Sequence, residues 1–242
     1  MNTVEIRFII AVLLISVPIG CGGGGSGPSP TPTPKGANNY TTSFPVAETP
    51  ISEGGVWTTG LATGLQWADP ATAVGLAYGT QVAHAPPPYD DSIAHLNGFP
   101  PNHYARATMS RSGPVVGLEV ELLLRFKITP NNARGYEIDG YLGGNAIHVV
   151  RWNGRRNDFT DLSGAITTNV TFNDGDVWYA EMVGNVITVK NNGLLVWASD
   201  RTGDATIWSD GNPGLGFYTD TNLGAASPNT DLGWKRFEAG SL

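Results

Sequence analysis

The sequence has almost no cysteine and little charge. Its single cysteine, Cys21, lies near the N-terminus, so the rest of the chain has no disulfide and no thiolate metal site. The chain has 14 basic and 21 acidic residues; without Arg7 and Glu5, which belong to the N-terminal segment described below, 13 and 20 remain, a net charge of −7. This balance argues against a general phosphate-neutralising surface, and we expect no nucleic acid partner.

Helical periodicity is also missing. The 32 glycines and 17 prolines are scattered between short apolar runs, a pattern typical of an all-β domain. The clearest alternation predicts a strand over residues 119–128 with one face in the core and one face in solvent. The core face would carry Val120, Leu122, Leu124, Phe126 and Ile128, and the other face Glu119, Glu121, Leu123, Arg125 and Lys127.

A hairpin and its return strand are the strongest local signal. Residues 185–190 alternate, Asn192-Gly193 supplies the two positive-φ positions of a tight turn, residues 194–197 run back, and residues 214–218 follow as a buried strand. Further strands are predicted at residues 40–44, 74–78, 104–110, 135–141, 146–152, 177–182 and 233–239. The proline-rich residues 85–101 are predicted to form a long loop outside any central strand.

The N-terminus has the pattern of an export signal. An apolar run over residues 8–19 is too short for the roughly 20 residues that cross a bilayer, and it ends at Gly20-Cys21. Pro18-Ile19-Gly20-Cys21 resembles the bacterial lipobox, although Pro18 replaces the usual leucine-like residue. The resemblance implies lipidation of Cys21 and anchoring at the outer membrane or cell surface of a bacterium; ordinary secretion with cleavage nearby is the alternative.

The chain is expected to have three parts. Residues 1–20 form the lipoprotein signal, residues 21–36 a tether, and residues 37–242 the folded domain. The tether is first glycine-rich and then proline-rich, so a flexible stretch is followed by an extended spacer that cannot fold alone. The only contact with a membrane would be the lipid anchor.

Several short motifs follow one another in the second half of the chain. They are Gly-Tyr-Glu at 135–137, Ile-x-x-x-Arg-Trp-Asn-Gly at 147–154, Gly-Asp-Val at 175–177, Gly-Asn-x-Ile-Thr-x-x-x-Asn-Gly at 184–193, Gly-Asn-Pro-Gly-x-Gly-Phe at 211–217 and Trp-x-x-Phe at 234–237. Over residues 105–239 this order resembles the concanavalin A-like lectin and glucanase superfamily, within it the laminin G-like domains and relatives associated with keto-disaccharide hydrolysis. The resemblance implies an antiparallel two-sheet jelly-roll sandwich. The superfamily includes lectins, carbohydrate-binding modules, hydrolases and lyases, so it does not select a function.

Two pairs of acidic residues are candidates for hydrolytic chemistry. Retaining glucanases of this fold carry a Glu-x-Asp-x-Glu strand, which Glu119-Val120-Glu121 approaches, but the third acidic position is Leu123. Glu137 and Asp139 form a second pair on one strand face. Both pairs are interpreted first as solvated polar faces.

A uronate lyase requires a base and cations that neutralise the substrate carboxylate. Asn145-Ala146-Ile147-His148 loosely resembles the Gln-Ile-His of alginate-lyase jelly rolls, and Arg151, Arg155 and Arg156 are close by. Arg125 ends the strand that begins Glu119-Val120-Glu121. The Tyr-x-Lys-x-Gly-x-Tyr motif of those enzymes is missing. His148, Glu137 and Arg151 are the catalytic candidates of this alternative, and His148 as a hydrogen-bonded sheet residue is the competing interpretation.

Sugar binding requires flat aromatic rings together with polar groups that bind hydroxyls. The ligand-binding candidates are Tyr136, Glu137, His148, Arg151, Trp152 and Trp208. Trp178, Trp197 and Trp234 lie within predicted strands and are expected in the core. For Trp152 and Trp208, core and ligand contact are equally weighted.

Calcium is the one metal that the sequence suggests. Asp174 and Asp176 supply hard oxygen ligands in a tight loop, although Asp, Asn and Gly also form such turns without a metal. No other cofactor is indicated. The leading hypothesis is a lipid-anchored, laminin G-like domain that recognises an extracellular polysaccharide without cleaving it. A polysaccharide lyase or glycoside hydrolase, and a structural envelope protein, are the alternatives.

Overall fold

The computed structural model describes residues 38–60, 67–81, 91–130, 132–155, 158–219 and 227–242. The strands of this part are β1 (Asn39–Thr42), β2 (Thr58–Thr59), β3 (Ala71–Ala73), β4 (Leu76–Tyr78), β5 (Ser92–His95), β6 (His103–Arg111), β7 (Leu118–Thr129), β8 (Asn132–Tyr141), β9 (Ala146–Gly154), β10 (Phe159–Asp161), β11 (Val177–Val183), β12 (Val186–Asn191), β13 (Leu194–Asp200), β14 (Asn212–Thr219) and β15 (Leu232–Ser241). One turn of 3-10 helix, Asn229–Asp231, precedes β15.

The strands form two antiparallel sheets. The first sheet has the order β13-β12-β11-β6-β15-β4-β3, with β1 also paired to β15, and the second has the order β10-β9-β8-β7-β14-β5-β2. Neighbours in each sheet include strands far apart in sequence, such as β6 beside β15 and β7 beside β14. The predicted all-β, antiparallel two-sheet jelly-roll sandwich is therefore confirmed.

The main core lies between the two sheets. It contains Trp178 and Trp234, both without solvent exposure, whose rings meet at a centroid distance of 5.9 Å. Trp197 is partly buried and packs against the same core. The predicted core placement is therefore correct for Trp178 and Trp234, whereas Trp197 only packs against the core. Burial of aromatic rings on this scale dominates the free energy that holds a sandwich together.

The part of the predicted proline-rich loop that the structure describes, residues 91–101, contains a strand. Within it, β5 lies in the second sheet between β14 and β2 and pairs with β14 through four residues from Ser92 to His95. The short run Ser92-Ile93-Ala94-His95 has no proline of its own, so its backbone amides are free to join the ladder. The strand was not predicted because the prolines on both sides of it indicated a loop over the whole of residues 85–101.

The prediction of a solvated face on β7 is wrong. Glu121, Leu123 and Arg125 are almost fully buried. A second apolar cluster covers the outer face of the second sheet and consists of Trp67, Ile93, Leu123, Phe126, Ile128, Ala133, Val150 and Trp152. Both faces of this sheet are therefore buried over much of their area.

A β-bulge between Leu124 and Lys127 explains which residues take each face. Arg125 adopts a positive φ of 46°, and the register to β8 shifts at this point. As a result Phe126 and Ile128 join the outer cluster rather than the main core with Leu124. The strict alternation predicted from sequence does not hold beyond the bulge.

The N-terminal predictions concern residues outside the described part. The signal at residues 1–20, the lipidated Cys21 and the tether to residue 36 all precede Asn38, and they stay predictions. In the ranges that the structure describes, no helix has the length and apolar character required to cross a membrane.

Candidate functional site

Acidic side chains gather on the outer face of the second sheet. Glu121 on β7 lies directly opposite Asp139 on β8, and Glu137 precedes Asp139 by two residues on the same strand face. All three are buried, at 0%, 8% and 6% exposure for Glu121, Asp139 and Glu137. The interpretation of both acidic pairs as solvated polar faces is therefore wrong for these three residues, because the outer cluster covers the sheet around them.

These carboxyl groups border a pocket of about 110 Å³, here called the acidic pocket. The walls of the pocket come from six strands of the second sheet. Asp91 directly precedes β5, and the other lining residues lie within β7, β8, β9, β10 and β14. The lining residues are Asp91, Glu119, Glu137, Asp139, Val150, Trp152, Phe159 and Tyr218.

Glu121 lies beside these residues on the same sheet face, in the most buried position. In the described structure neither of its carboxyl oxygens has a hydrogen-bond partner. A Cβ added to Gly216 on β14 would come within 2.0 Å of Glu121 Oε2, so the glycine provides the space for the carboxyl group. Burial raises the pKa of Glu121 well above its usual value, and the nearby charges of Glu137 and Asp91 raise it further.

Glu137 has one defined partner. The indole Nε1 of Trp152 donates a hydrogen bond of 2.6 Å to Glu137 Oε2. Burial raises the pKa of Glu137 to about 7, and this hydrogen bond opposes the rise. Burial, followed by the charge of Glu137, also raises the pKa of Asp139. Near neutral pH the group therefore holds protons that exposed carboxylates would have lost.

Aromatic rings flank the carboxyl groups. The Trp152 ring lies 5.0 Å from the Trp67 ring and 5.4 Å from the Phe159 ring, measured between centroids. Phe159 is among the more exposed of the large apolar side chains, at 38%. An exposed ring beside buried carboxyl groups provides both a flat apolar surface and acceptors for hydroxyl groups.

The structure separates the predicted site residues into two groups. His148 lies opposite Asp139, so Glu137, His148 and Trp152 share the outer face of the second sheet. Tyr136 and Arg151 lie opposite each other on the other face. Arg151 there donates a 2.8 Å hydrogen bond to the carbonyl oxygen of Thr206. The set of Glu137, His148 and Arg151 proposed for lyase chemistry therefore does not form one groove.

His148 lies at the edge of this outer face. Its Nδ1 is 3.8 Å from a carboxyl oxygen of Asp161 on β10, and it is not a lining residue of the acidic pocket. The side chain is about a third exposed. The position is open to a ligand that extends past β10.

Tyr136 and Trp208 form a separate cluster at the inner face. The Tyr136 hydroxyl accepts a 3.1 Å hydrogen bond from the backbone amide of Trp208, and Trp208 Nε1 donates to the carbonyl oxygen of Trp152 at 2.8 Å. The Arg134 guanidinium lies 4.7 Å from the centroid of the Trp208 ring. Tyr136 is fully buried. These contacts anchor the loop before β14 to the sheet.

Asp174 and Asp176, the predicted calcium ligands, are both engaged in the turn before β11. Asp174 accepts from the backbone amide of Arg111 at 3.2 Å and pairs with Lys235 at 3.1 Å. Asp176 Oδ2 accepts from the Asn173 amide, and Oδ1 accepts from the Asn192 side chain. These are the bonds expected of a turn. The calcium site stays a prediction.

Comparison with known proteins defines the fold class. No protein-family model and no curated protein sequence matches the chain. An endo-acting O-glycanase from the human gut microbiota matches with a TM-score of 0.54 and 13% identity, over 84% of this chain and 98% of that one. β-agarase A, solved with oligoagarose, gives 0.53 and 12%, over 85% and 94%. A native glycosidic hydrolase gives 0.52 and 14%, over 83% and 94%. At these identities the likeness shows a shared concanavalin A-like jelly-roll fold.

Sequence reasoning missed several pocket residues. Asp91 precedes the unpredicted strand β5, Phe159 lies in the short strand β10, and Tyr218 belongs to β14, which was predicted only as a fold element. No local pattern brings these positions together, since the pocket assembles from distant strands. The two acidic pairs were visible in the sequence, but the burial of Glu121, Glu137 and Asp139 was not.

Proposed function

We propose that this protein is an exported glycan-binding domain and that the acidic pocket is its sugar site. The observation that carries the proposal is the exposed Phe159 ring beside Trp152 and the buried carboxyl of Glu137. Sugar rings present apolar C–H faces that stack on such rings, and carboxyl groups bind the hydroxyls. The structural neighbours named as a glycanase, an agarase and a glycosidic hydrolase support a glycan as the partner.

The ligand in this pocket is a neutral sugar. Four of the lining residues are acidic, and among the described lining residues none is basic. A uronate would meet carboxyl groups without a cation to neutralise its charge, at a cost that rises in a buried site. The pocket volume of about 110 Å³ is below the 300–1,000 Å³ typical of sites that enclose a whole ligand. It therefore fits part of a sugar whose chain continues across the surface.

The proposal includes the finer predictions made from sequence. The domain is laminin G-like, it is tethered by residues 21–36, and lipidation of Cys21 places it on a bacterial surface, where polysaccharide is accessible. Labelling growing cells with an alkynyl fatty acid tests the anchor. The mature protein is expected to carry the label, and a Cys21→Ser variant is expected to lose it.

Binding to neutral oligosaccharides tests the sugar site. We expect calorimetry with agaro-oligosaccharides and neutral mucin-type O-glycans to identify a ligand for the purified protein. Phe159→Ala should weaken that binding at least tenfold, because it removes an exposed stacking surface while the core is untouched. Leu194→Ala, which removes an exposed apolar side chain from β13 on the other sheet, is the matched control. Equal affinity in both variants would disprove the assignment.

Hydrolysis of the bound glycan is the second candidate, and the pKa of Glu137 favours it. A carboxyl group with a pKa of about 7 holds a proton at neutral pH and is matched to general-acid catalysis. In this scheme Glu137 protonates the glycosidic oxygen as the C–O bond breaks. A second pocket carboxylate either takes a proton from the water that attacks the anomeric carbon, or attacks that carbon itself to form a glycosyl ester that water then hydrolyses. Release of reducing ends that disappears in Glu137→Gln, with binding retained, would establish it. Binding without release by wild-type protein would leave the non-catalytic function.

A further inference from the structure

The outer face of the first sheet contains an open groove that is separate from the acidic pocket. Its volume is about 690 Å³, and its lining includes Tyr104, Arg106, Tyr179, Lys190 and Glu238. We call it the tyrosine groove. These residues come from β6, β11, β12 and β15, four strands that lie side by side in the first sheet.

Register places four of these side chains in one row across the sheet. Glu238 lies opposite Arg106, Arg106 opposite Tyr179, and Tyr179 opposite Lys190. Residues that are paired in this way point to the same face. The row therefore places one aromatic ring between two cationic side chains, with Glu238 next to Arg106 at the end.

Two tyrosine rings meet in the groove, Tyr179 from this row and Tyr104 from the neighbouring row, where it lies opposite Glu181 and Gly240. Tyr104 and Tyr179 stack with centroids 5.5 Å apart and planes 21° from parallel. A Cβ added to Gly240 would come within 2.5 Å of Tyr104 Cε1, so the ring of Tyr104 lies over this glycine. The Tyr179 hydroxyl donates a 2.6 Å hydrogen bond to Glu181. Both rings are thus fixed in orientation before any ligand arrives, which lowers the entropic cost of stacking.

Positive charge exceeds negative charge at the groove. Glu238 is shared by Arg106 at 3.4 Å and Arg236 at 2.5 Å. The Lys190 ammonium lies 5.2 Å from the centroid of the Tyr179 ring. Among the lining residues, Arg106 and Lys190 are the two cations and Glu238 is the one carboxylate, in a protein whose net charge is −7. A local excess of this sign attracts anionic groups at moderate ionic strength.

We propose that the tyrosine groove is a second glycan-binding site and that it binds an anionic polysaccharide chain. Sugar rings stack on Tyr179 and Tyr104, and their carboxylate or sulfate groups contact Arg106 and Lys190 on either side of Tyr179. An open groove suits a chain that passes through, whereas the acidic pocket admits part of a neutral sugar. The site is independent of the function of the acidic pocket and requires no catalysis.

Affinity electrophoresis of the purified protein in polyacrylamide gels containing polygalacturonate or a sulfated galactan tests the proposal, with a gel free of added polymer as the reference. Wild-type protein is expected to be retarded by the anionic polymers, and retardation should weaken as salt is raised from 50 to about 500 mM. Tyr179→Ala should reduce the affinity at least tenfold. Tyr179→Phe keeps the stacking face and should retain most of the affinity, which separates recognition from loss of folding.

Charge and location have their own controls. Lys190→Gln should weaken binding to the anionic polymers, while Lys190→Arg should restore it. Glu137→Gln in the acidic pocket should leave this retardation unchanged. Loss of binding at the tyrosine groove can therefore be distinguished from loss of binding at the acidic pocket. The proposal is overturned if wild-type protein does not bind the anionic polymers, if Tyr179→Ala and Lys190→Gln bind like wild type, or if these variants change only self-association in sedimentation experiments.

Discussion

Glu121 and Asp139 lie directly opposite each other on neighbouring strands, and both carboxyl groups are buried. Burial raises the pKa of both carboxyl groups, and the charge of Glu137 raises each of them further, so the pair retains protons to a higher pH than exposed carboxyl groups do. A fold selected for stability alone would place apolar residues at these positions. The arrangement therefore supports the proposal that the ligand binds at the outer face of the second sheet.

Replacing Glu121 should stabilise the protein. Because the pKa of Glu121 is raised in the folded state, the folded protein binds this proton more tightly than the unfolded chain does. The stabilisation that results is lost as pH rises above about 4.5, the pKa of the group in the unfolded chain. Glu121→Met removes the ionisable group and keeps a similar volume. We expect the free energy of unfolding in urea to rise by about 1–3 kcal/mol at pH 8, and by less at pH 4.5. Glu238→Met on the surface should show no such pH-dependent gain.

Gly216 should be intolerant of a side chain because of Glu121. A Cβ at Gly216 would lie 2.0 Å from Glu121 Oε2. The nearest atom of any other residue, Ile93 Cγ2, would be 3.1 Å away. Gly216→Ala should cost about 1–3 kcal/mol of stability in the wild-type background and clearly less beside Glu121→Ala. A double-mutant cycle from urea unfolding measures the difference. Additive effects would show that the two residues do not compete for the same space.

Trp152 should tune the acidity of Glu137. A hydrogen bond to the ionised carboxylate lowers its pKa, so Trp152→Phe should raise the pKa of Glu137 above the wild-type value of about 7. Carbon-13 NMR of labelled glutamate carboxyl groups, titrated from pH 5 to 9, reports the change. The assigned resonance must disappear in Glu137→Gln. A titration that moves to lower pH in Trp152→Phe would contradict the geometry.

Acid should destabilise the fold through a buried histidine. His103 Nδ1 lies 2.6 Å from the Pro100 carbonyl oxygen, and Nε2 accepts a 3.0 Å hydrogen bond from the Arg125 amide at the β7 bulge, which requires the neutral ring. Burial lowers the pKa of His103 to about 4. The unfolded chain binds the proton near pH 6.5, so the contribution of His103 to stability is complete above pH 6.5 and falls by about 3 kcal/mol towards pH 4, while the buried carboxyl groups contribute with the opposite sign.

Urea unfolding between pH 4 and 7.5 checks this. His103→Gln should be less stable than wild type at pH 7, because the hydrogen bond to the bulge is disturbed, and its stability should vary less over the window. A His103→Gln variant with the full wild-type pH dependence would assign the acid sensitivity to other groups.

The sequence predicts the fold better than it predicts the site. Strand positions such as those of β7, β8 and β11 follow from local alternation and turn residues, which need no knowledge of distant contacts. The apolar cluster on the sheet face that carries Glu121 includes Trp67 and Ile93, which lie far from Glu121 in sequence. The bulge at Arg125 carries no glycine to signal its positive φ. Local patterns therefore specify the strands, while the covering of the sheet and the pocket depend on tertiary packing.

The most direct test of the central claim is the indole N–H resonance of Trp152, which reports the hydrogen bond to Glu137 inside the acidic pocket. The nitrogen-15 spectrum is recorded during titration with the neutral oligosaccharide that binds in calorimetry. The Trp152 signal is predicted to shift in a saturable manner, while the signals of the core residues Trp178 and Trp234 stay in place. Saturable binding that leaves Trp152 unchanged would contradict the assignment of the acidic pocket as the sugar site.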